Sequence, residues 1–546
     1  MRQRLVWALW DTLAFLAVLA AGWKFGLPAD RWFDIPAFDE ARYLHRGVEL
    51  LHLGLARLPS EWSPLYSLWY HLLYRLGFQD RIALYYLNFR LLGALLPALF
   101  FLVLRRYGVS YWAAFALAIY AVGTRLSWVT DTRVTSFALM LVFLTAWLLT
   151  FLPPGWPRTL VAAVSMVVVA YARPEYLMAS GWLALVALVQ GGWAWRREKR
   201  LHLRLSVLVG LAGTALLAVG SWALWGPPVG KGRSMYAFGQ HFAYTRWFCL
   251  KQPHRGISWE DEVRADFGDA RTILEAFMAN PRAFGSHIWC NLKTFPPRLG
   301  STLFLHAAYF FPKGVLAEAL LFAGLTALGM LGVVLRDRTT WPQRLRARQE
   351  ALLFWGIMSL VGLSVLMVIH GAKRYYLILL GWPTLVLGAL LFLPSQTPLV
   401  FSRRRVWTWL AGLFLGIALV PPMGYMTPYP WNPPFLENLE LLKTIRALSL
   451  PEDRPVRWVS VRGLRHYFLM LYLNTEFEAL PYAPEEGFLD YIQETQPDIL
   501  TVDRRWFQGD ATWRAFLEQP QRFGYWKQKI GPYRWLFGRG EIIPPP

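Results

Sequence analysis

The chain has 546 residues, of which 55% are hydrophobic and only 17% charged. A soluble domain carries about a quarter charged residues, so this composition excludes an ordinary soluble protein. The net charge of +21 does not mark a nucleic-acid partner, because the excess sits in short loops that alternate between apolar runs.

Those runs recur from the N-terminus to about residue 425. In lipid each backbone polar group must be satisfied internally, and runs of this length do so as helices. The reading is a polytopic α-helical membrane protein with about eleven transmembrane helices. They are expected near residues 5–25, 82–104, 109–128, 134–152, a short fifth ending at Tyr171, 175–191, 203–225, 313–335, 351–369, 375–394 and 406–424. The first run is long and lacks a small-residue cleavage site, so it reads as an uncleaved anchor. Under this count Arg2 and Arg4, Arg105 and Arg106, Arg158, the clusters beginning at Arg196 and Arg336, and Arg403 to Arg405 fall on one side. This is the positive-inside pattern. It places the N-terminus in the cytoplasm and, for an odd number of spans, the C-terminal region outside.

Two outer loops are long, about 26–80 and 226–311. The first reads as two amphipathic helices lying on the membrane lipids. One carries Tyr43, Val48 and Leu51; the other runs from Pro64 to Leu76. In the second loop Trp259 to Glu262 opens a charged helix. Ile273, Leu274, Phe277 and Met278 share one helical face. Asn280-Pro281 starts a further helix through His287 and Asn291. Cys249 and Cys290 both lie here, where a disulfide is allowed and two free thiols are equally compatible with the sequence. Residues 1–425 form the transmembrane domain. Residues 426–546 read as a small C-terminal soluble α/β domain, with strands around Val456 to Val461 and Ile499 to Val502 and a helix from Gly487 to Thr495.

The most informative stretch is Phe38-Asp39-Glu40-Ala41-Arg42-Tyr43. Two adjacent carboxylates beside a membrane span are costly to keep there and mark a candidate site. Ser60-Glu61-Trp62-Ser63-Pro64-Leu65-Tyr66 follows, and Asp131 occupies a short outer turn. A carboxylate suffices as base for an attacking hydroxyl when the leaving group is good, as is a sugar-bearing lipid phosphate. Charge gathering on that phosphate calls for Arg, Lys or a divalent cation. Arg173, Lys373 and Arg374 fall on the same side, with Arg90 in the second span. Bland readings stand beside these. Asp39 and Glu40 suit a helix N-terminus, Asp131 suits an ion pair with Arg125 or Arg133, and Glu61 precedes the helix that Pro64 opens.

Taken in order, these motifs over residues 1–395 resemble the GT-C superfamily of polytopic glycosyltransferases. Its bacterial branch is related to protein O-mannosyltransferases and lipid A aminoarabinose transferases. Phe38 to Tyr43 is similar to the family's first-loop acidic motif, and Ser63-Pro64-Leu65-Tyr66 to the segment after it. Gly123-Thr124 to Thr132 is similar to its second acidic turn, and Arg374-Tyr375-Tyr376-Leu377 with Pro383 to its late Arg-Tyr motif. The resemblance implies an inverting enzyme of the cell inner membrane. Such an enzyme takes a sugar from a polyprenyl-phosphate donor to a lipid, glycan or protein hydroxyl at the outer face. It implies Asp39 as general base, with Glu40 and Asp131 as further acidic site residues. Glu61, Arg90, Arg173, Lys373, Arg374 and Tyr375 would contact substrate, and His241 or His254 would partner a divalent cation. Two other classes remain beside it: a flippase for lipid-linked saccharides, and a non-catalytic member of a glycan-assembly complex. A transporter commonly shows two related halves, and no such repeat is visible.

Overall fold

The structure, a computed structural model, describes residues 2–36, 39–129, 132–198, 204–229, 233–251, 258–304, 341–371, 374–395, 403–420, 436–460, 465–480, 487–503, 511–530 and 534–545, with positions 324 and 423. Most of these residues are helical, and a five-stranded sheet lies near the C-terminus.

Among the described residues six stretches are long and apolar enough to cross a membrane: Ala8–Trp32, Arg81–Arg106, Tyr176–Arg197, Leu205–Trp225, Gln349–Val368 and Tyr375–Phe392. Four apolar helices are shorter, Tyr111–Gly123, Val134–Leu149, Trp156–Ala170 and Leu410–Leu419. The expected span at 313–335 lies outside the described residues. The third expected span ends early for a local reason. The hydroxyls of Thr124 and Ser127 both donate to the Ala121 carbonyl and turn the chain. The resulting helix covers about 20 Å, short of a hydrocarbon core of about 30 Å.

Leu205, Val209, Leu216 and Val219 all stand exposed on the Leu205–Trp225 helix. So large an open apolar face fits lipid rather than water. Inside the bundle the first helix, Arg2–Gly26, crosses Arg81–Arg106 closely. A methyl at Gly22 would sit 2.7 Å from the Ala94 Cα, so a small residue there lets two backbones approach. Basic residues gather at one end of the bundle. Arg105 pairs with Asp11 at 2.8 Å and Arg158 with Glu350 at 3.0 Å. Arg348 donates to the carbonyls of Leu390 and Gly108.

The first long loop forms the helices Asp39–Val48 and Pro64–Arg75. The second forms Arg233–Phe248, Trp259–Phe267, Ile273–Ala279 and Pro281–Phe304. The stripe on Ile273–Ala279 faces outward, with Leu274 and Met278 about 70% exposed. Cys249 and Cys290 are joined as a disulfide, their Cα atoms 6.4 Å apart, tying the end of Arg233–Phe248 to Pro281–Phe304.

The sheet comprises β1 (Val456–Ser460), β2 (Phe477–Leu480), β3 (Ile499–Asp503), β4 (Tyr525–Ile530) and β5 (Arg534–Arg539), ordered β2-β1-β3-β5-β4. β1 runs parallel to β2 and β3, and β5 antiparallel to β3 and β4. Side chains alternate along each strand, so the two faces bury different sets. Val459, Leu500 and Phe537 pack on Phe488 and Phe516. Trp458, Ile499 and Leu536 join the same continuous core as the membrane helices.

Candidate functional site

The two carboxylates of the Asp39–Val48 helix have different surroundings. Glu40 is fully buried. Its Oε1 accepts the hydroxyls of Tyr66 (2.6 Å) and Tyr70, and its Oε2 accepts the Arg133 backbone N–H at 2.8 Å. Asn88 donates to both tyrosine oxygens, at 2.6 and 2.9 Å, and Trp69 donates to Asn88 at 2.8 Å. Burial pushes the Glu40 pKa up, against the pull of these donors. The carboxylate is therefore a hub joining the first loop, the second span and the segment before Val134.

Asp39 is half-buried on the neighbouring face, within electrostatic reach of Arg46 and Arg233. These two arginines converge with Arg42 on a single ring. The indole of Trp62 is approached by Arg233 at 4.5 Å, Arg42 at 5.0 Å and Arg46 at 5.6 Å. Arg42 and Arg46 lie four apart on one helix, which puts them on one face. Arg233 arrives from the second loop and donates to the Tyr43 hydroxyl at 3.3 Å. The Nη1 atoms of Arg46 and Arg233 are buried without a hydrogen-bond partner among the described residues. Burial, then the charge of Arg42, pushes the Arg46 pKa down. Burial works against the Arg233 charge too, but the Tyr43 oxygen and the Asp39 carboxylate outweigh it and push that pKa up. The buried N–H groups without a partner stay costly until an acceptor satisfies them.

Arg173 extends this group. It is buried, pairs with Glu175, donates to Thr135 Oγ1 at 2.9 Å and lies 5.3 Å from the Tyr376 ring. Tyr375 packs on Tyr376 at 4.3 Å, and His241 lies 4.8 Å from His370 and 5.9 Å from Tyr376. Electrostatic interaction also reaches from Arg233 to Glu175 and Tyr376. The structure thus brings Asp39, Arg173 and Tyr375 into one neighbourhood. Arg90 is engaged elsewhere: it closes the end of the first helix through the carbonyls of Gly26 and Leu27 and the carboxylate of Asp30. Glu61 lies on the Ser60–Trp62 turn beside Trp62. Asp131, Lys373 and His254 lie outside the described residues, as does the Arg374 side chain, although Arg374 opens its helix as expected.

Arg42, Arg46, Arg233, Trp62 and Glu175 were not among the residues singled out as site contacts. The one signal in the sequence that points to them is the four-residue spacing of Arg42 and Arg46, which puts both on one helical face. A cavity of about 830 Å³ opens farther along the C-terminal seam, between Asp80, Arg446, Arg454 and Glu476, and shares no lining residue with the arginine group. Among the described residues no three His, Cys, Asp or Glu side chains come together as ligands for one ion, so they assign no role to a divalent cation.

Comparison with models of known protein families and with curated proteins found no match.

Proposed function

We propose that this chain is a membrane glycosyltransferase that uses a polyprenyl-phosphate sugar. One observation carries the reading: Arg42, Arg46 and Arg233 gather around Trp62 beside Asp39, and two of them hold buried, unpartnered N–H groups. That arrangement suits a phosphate arriving with a lipid tail, because guanidinium groups bind phosphate oxygens in forked pairs. The apolar helices supply a surface for the tail.

In this reading the acceptor hydroxyl attacks the anomeric carbon while Asp39 accepts its proton. The bond from that carbon to the phosphate oxygen breaks, and the electron pair leaves with the phosphate. Arg46 and Arg233 hold the charge that develops there, which is where such groups lower a barrier most. Attack opposite the leaving group inverts the anomeric centre. Glu40 fixes the helix that presents Asp39 and takes no proton. The acceptor is a lipid, glycan or protein hydroxyl at the outer face of the inner membrane. The eleven-span topology, with residues 426–546 as an extracytoplasmic domain, belongs to the same proposal. The Cys249–Cys290 disulfide supports it, since such bonds persist outside the cytoplasm.

Reconstituted protein supplied with a panel of labelled polyprenyl-phosphate sugars and a membrane acceptor fraction tests this. Wild type is expected to transfer label from one donor, and Asp39→Asn to remain inserted and inactive. Full activity of Asp39→Asn would overturn the role of Asp39. Label crossing the bilayer without transfer would replace the enzyme by a flippase.

A further inference from the structure

The segment leading into Asp39 is held from the far end of the chain. Asp34 accepts the backbone N–H groups of Asn438 and Leu439 at 3.0 and 2.9 Å. The Asn438 side chain donates to the Ile35 carbonyl at 2.7 Å, and the Tyr472 hydroxyl to the Pro36 carbonyl at 3.3 Å. Two further ties flank them: Arg446 pairs with Asp80 at 2.6 Å, and Arg81 donates to the Leu471 carbonyl at 3.1 Å.

The same domain touches the arginine group. Phe468, on the Arg465–Met470 helix, lies 4.4 Å from the Arg42 guanidinium. Trp62 lies 5.0 Å from that guanidinium, so Arg42 meets an aromatic ring from each of two parts of the chain. Ring faces attract a guanidinium most where water is displaced. A side chain with several rotatable bonds thereby acquires one preferred place.

We infer that the C-terminal domain completes the substrate site, with Phe468 positioning Arg42 against Trp62 and Asn438 and Tyr472 setting where the Asp39 helix begins. This rests on the glycosyltransferase reading for its substrate, but not for its geometry. It assigns to the domain a positioning role: without its contacts both the base and one phosphate-binding arginine lose their registration.

Full-length protein in lipid nanodiscs tests the inference with Phe468→Leu, which keeps apolar bulk without a ring face, Phe468→Tyr, which keeps the face, and Asn438→Ala. Two quantities are read: affinity for a short-chain polyprenyl phosphate, and hydrogen exchange over Asp39–Val48. Phe468→Leu is expected to weaken binding about tenfold, and Phe468→Tyr to restore it to within about twofold. Asn438→Ala is expected to speed exchange over Asp39–Val48 and to lower kcat more than it raises KM. Exchange in Arg81–Arg106 should stay unchanged, which separates displacement of the helix from unfolding. Binding by Phe468→Leu equal to wild type, or unchanged exchange in Asn438→Ala, overturns the inference. If wild type binds no polyprenyl phosphate, the glycosyltransferase reading fails, and exchange over Asp39–Val48 still decides the positioning role.

Discussion

Glu40 accepts the backbone N–H of Arg133 at 2.8 Å, joining positions 93 residues apart in the sequence. Tyr66 and Tyr70 donate to its other oxygen. Glu40→Gln would put an amide donor among groups that need an acceptor. A buried hub deprived of its charge in this way costs roughly 2–4 kcal/mol. The variant should melt lower in detergent and lose activity together with stability. Asp39→Asn, by contrast, should lose activity alone. A thermal-melt series on both variants checks the contrast.

Arg46 and Arg233 predict a trade between binding and stability. Arg46→Gln removes one of three repelling charges, so the unliganded protein should melt no lower than wild type. Its donor KM should rise about 10- to 100-fold, the worth of one charged hydrogen bond. A lowered melting temperature with unchanged KM would show that Arg46 serves the fold instead.

The docking of the C-terminal domain should depend on pH through Asp34. Burial raises its pKa from 3.8 to about 6, although three backbone N–H groups, those of Asn438, Leu439 and Ile35, pull the other way, as does Arg534. A folded-state pKa above the unfolded one means that the folded form holds its proton more tightly. The resulting stabilisation is complete below about 3.8 and is lost as pH rises through about 6. Exchange protection of Glu437–Arg446 should therefore increase between pH 6.5 and 4.5. In Asp34→Asn that slope should flatten, and an unaltered slope would remove Asp34 as its source.

Gly47 is a further sensitive point. A methyl there would stand 2.6 Å from both the Ser67 carbonyl oxygen and the Tyr70 Cβ. Gly47→Ala should push the Asp39–Val48 helix off Pro64–Arg75 at a cost of about 1–3 kcal/mol. Because Tyr70 also holds Glu40, activity should fall with it. A melt and a transfer assay on the same preparation measure both.

Reduction should loosen the second loop. The Cys249–Cys290 bond spans 41 residues, and closing a loop of that size is worth at most about 4 kcal/mol by chain entropy. A reductant should lower the melting temperature of wild type and leave a Cys249→Ser/Cys290→Ser variant unmoved.

Much of the platform was legible because it is local. Pro64 opens its helix, and the amphipathic pattern placed both first-loop helices near their observed positions. The strands at Val456 and Ile499 were visible as short apolar runs, and Gly487 precedes its helix with φ 97°. What each carboxylate does was not legible. Successive helical residues point about 100° apart, and only tertiary packing decides that Glu40 turns inward while Asp39 does not. Arg233 was invisible for a different reason. It reaches Tyr43 across 190 positions, and nothing local records such a contact. The outward stripe of Leu274 and Met278 shows the limit of periodicity, which finds an apolar face without saying what covers it.

The tie between Asp34 and Asn438 sets an order of events during synthesis. The two residues are separated by 404 positions. At a ribosomal pace of about 5–20 residues per second, Asp34 leaves the ribosome roughly 20–80 s before its partner. For that interval the membrane helices can insert while the entrance to the Asp39 helix stays untethered. A nascent chain, or one cut short before Asn438, would thus hold its Asp39 helix without the ties at Asp34, Ile35 and Pro36. The Asp39 helix would gain its fixed starting point only once residues 438 to 472 had emerged.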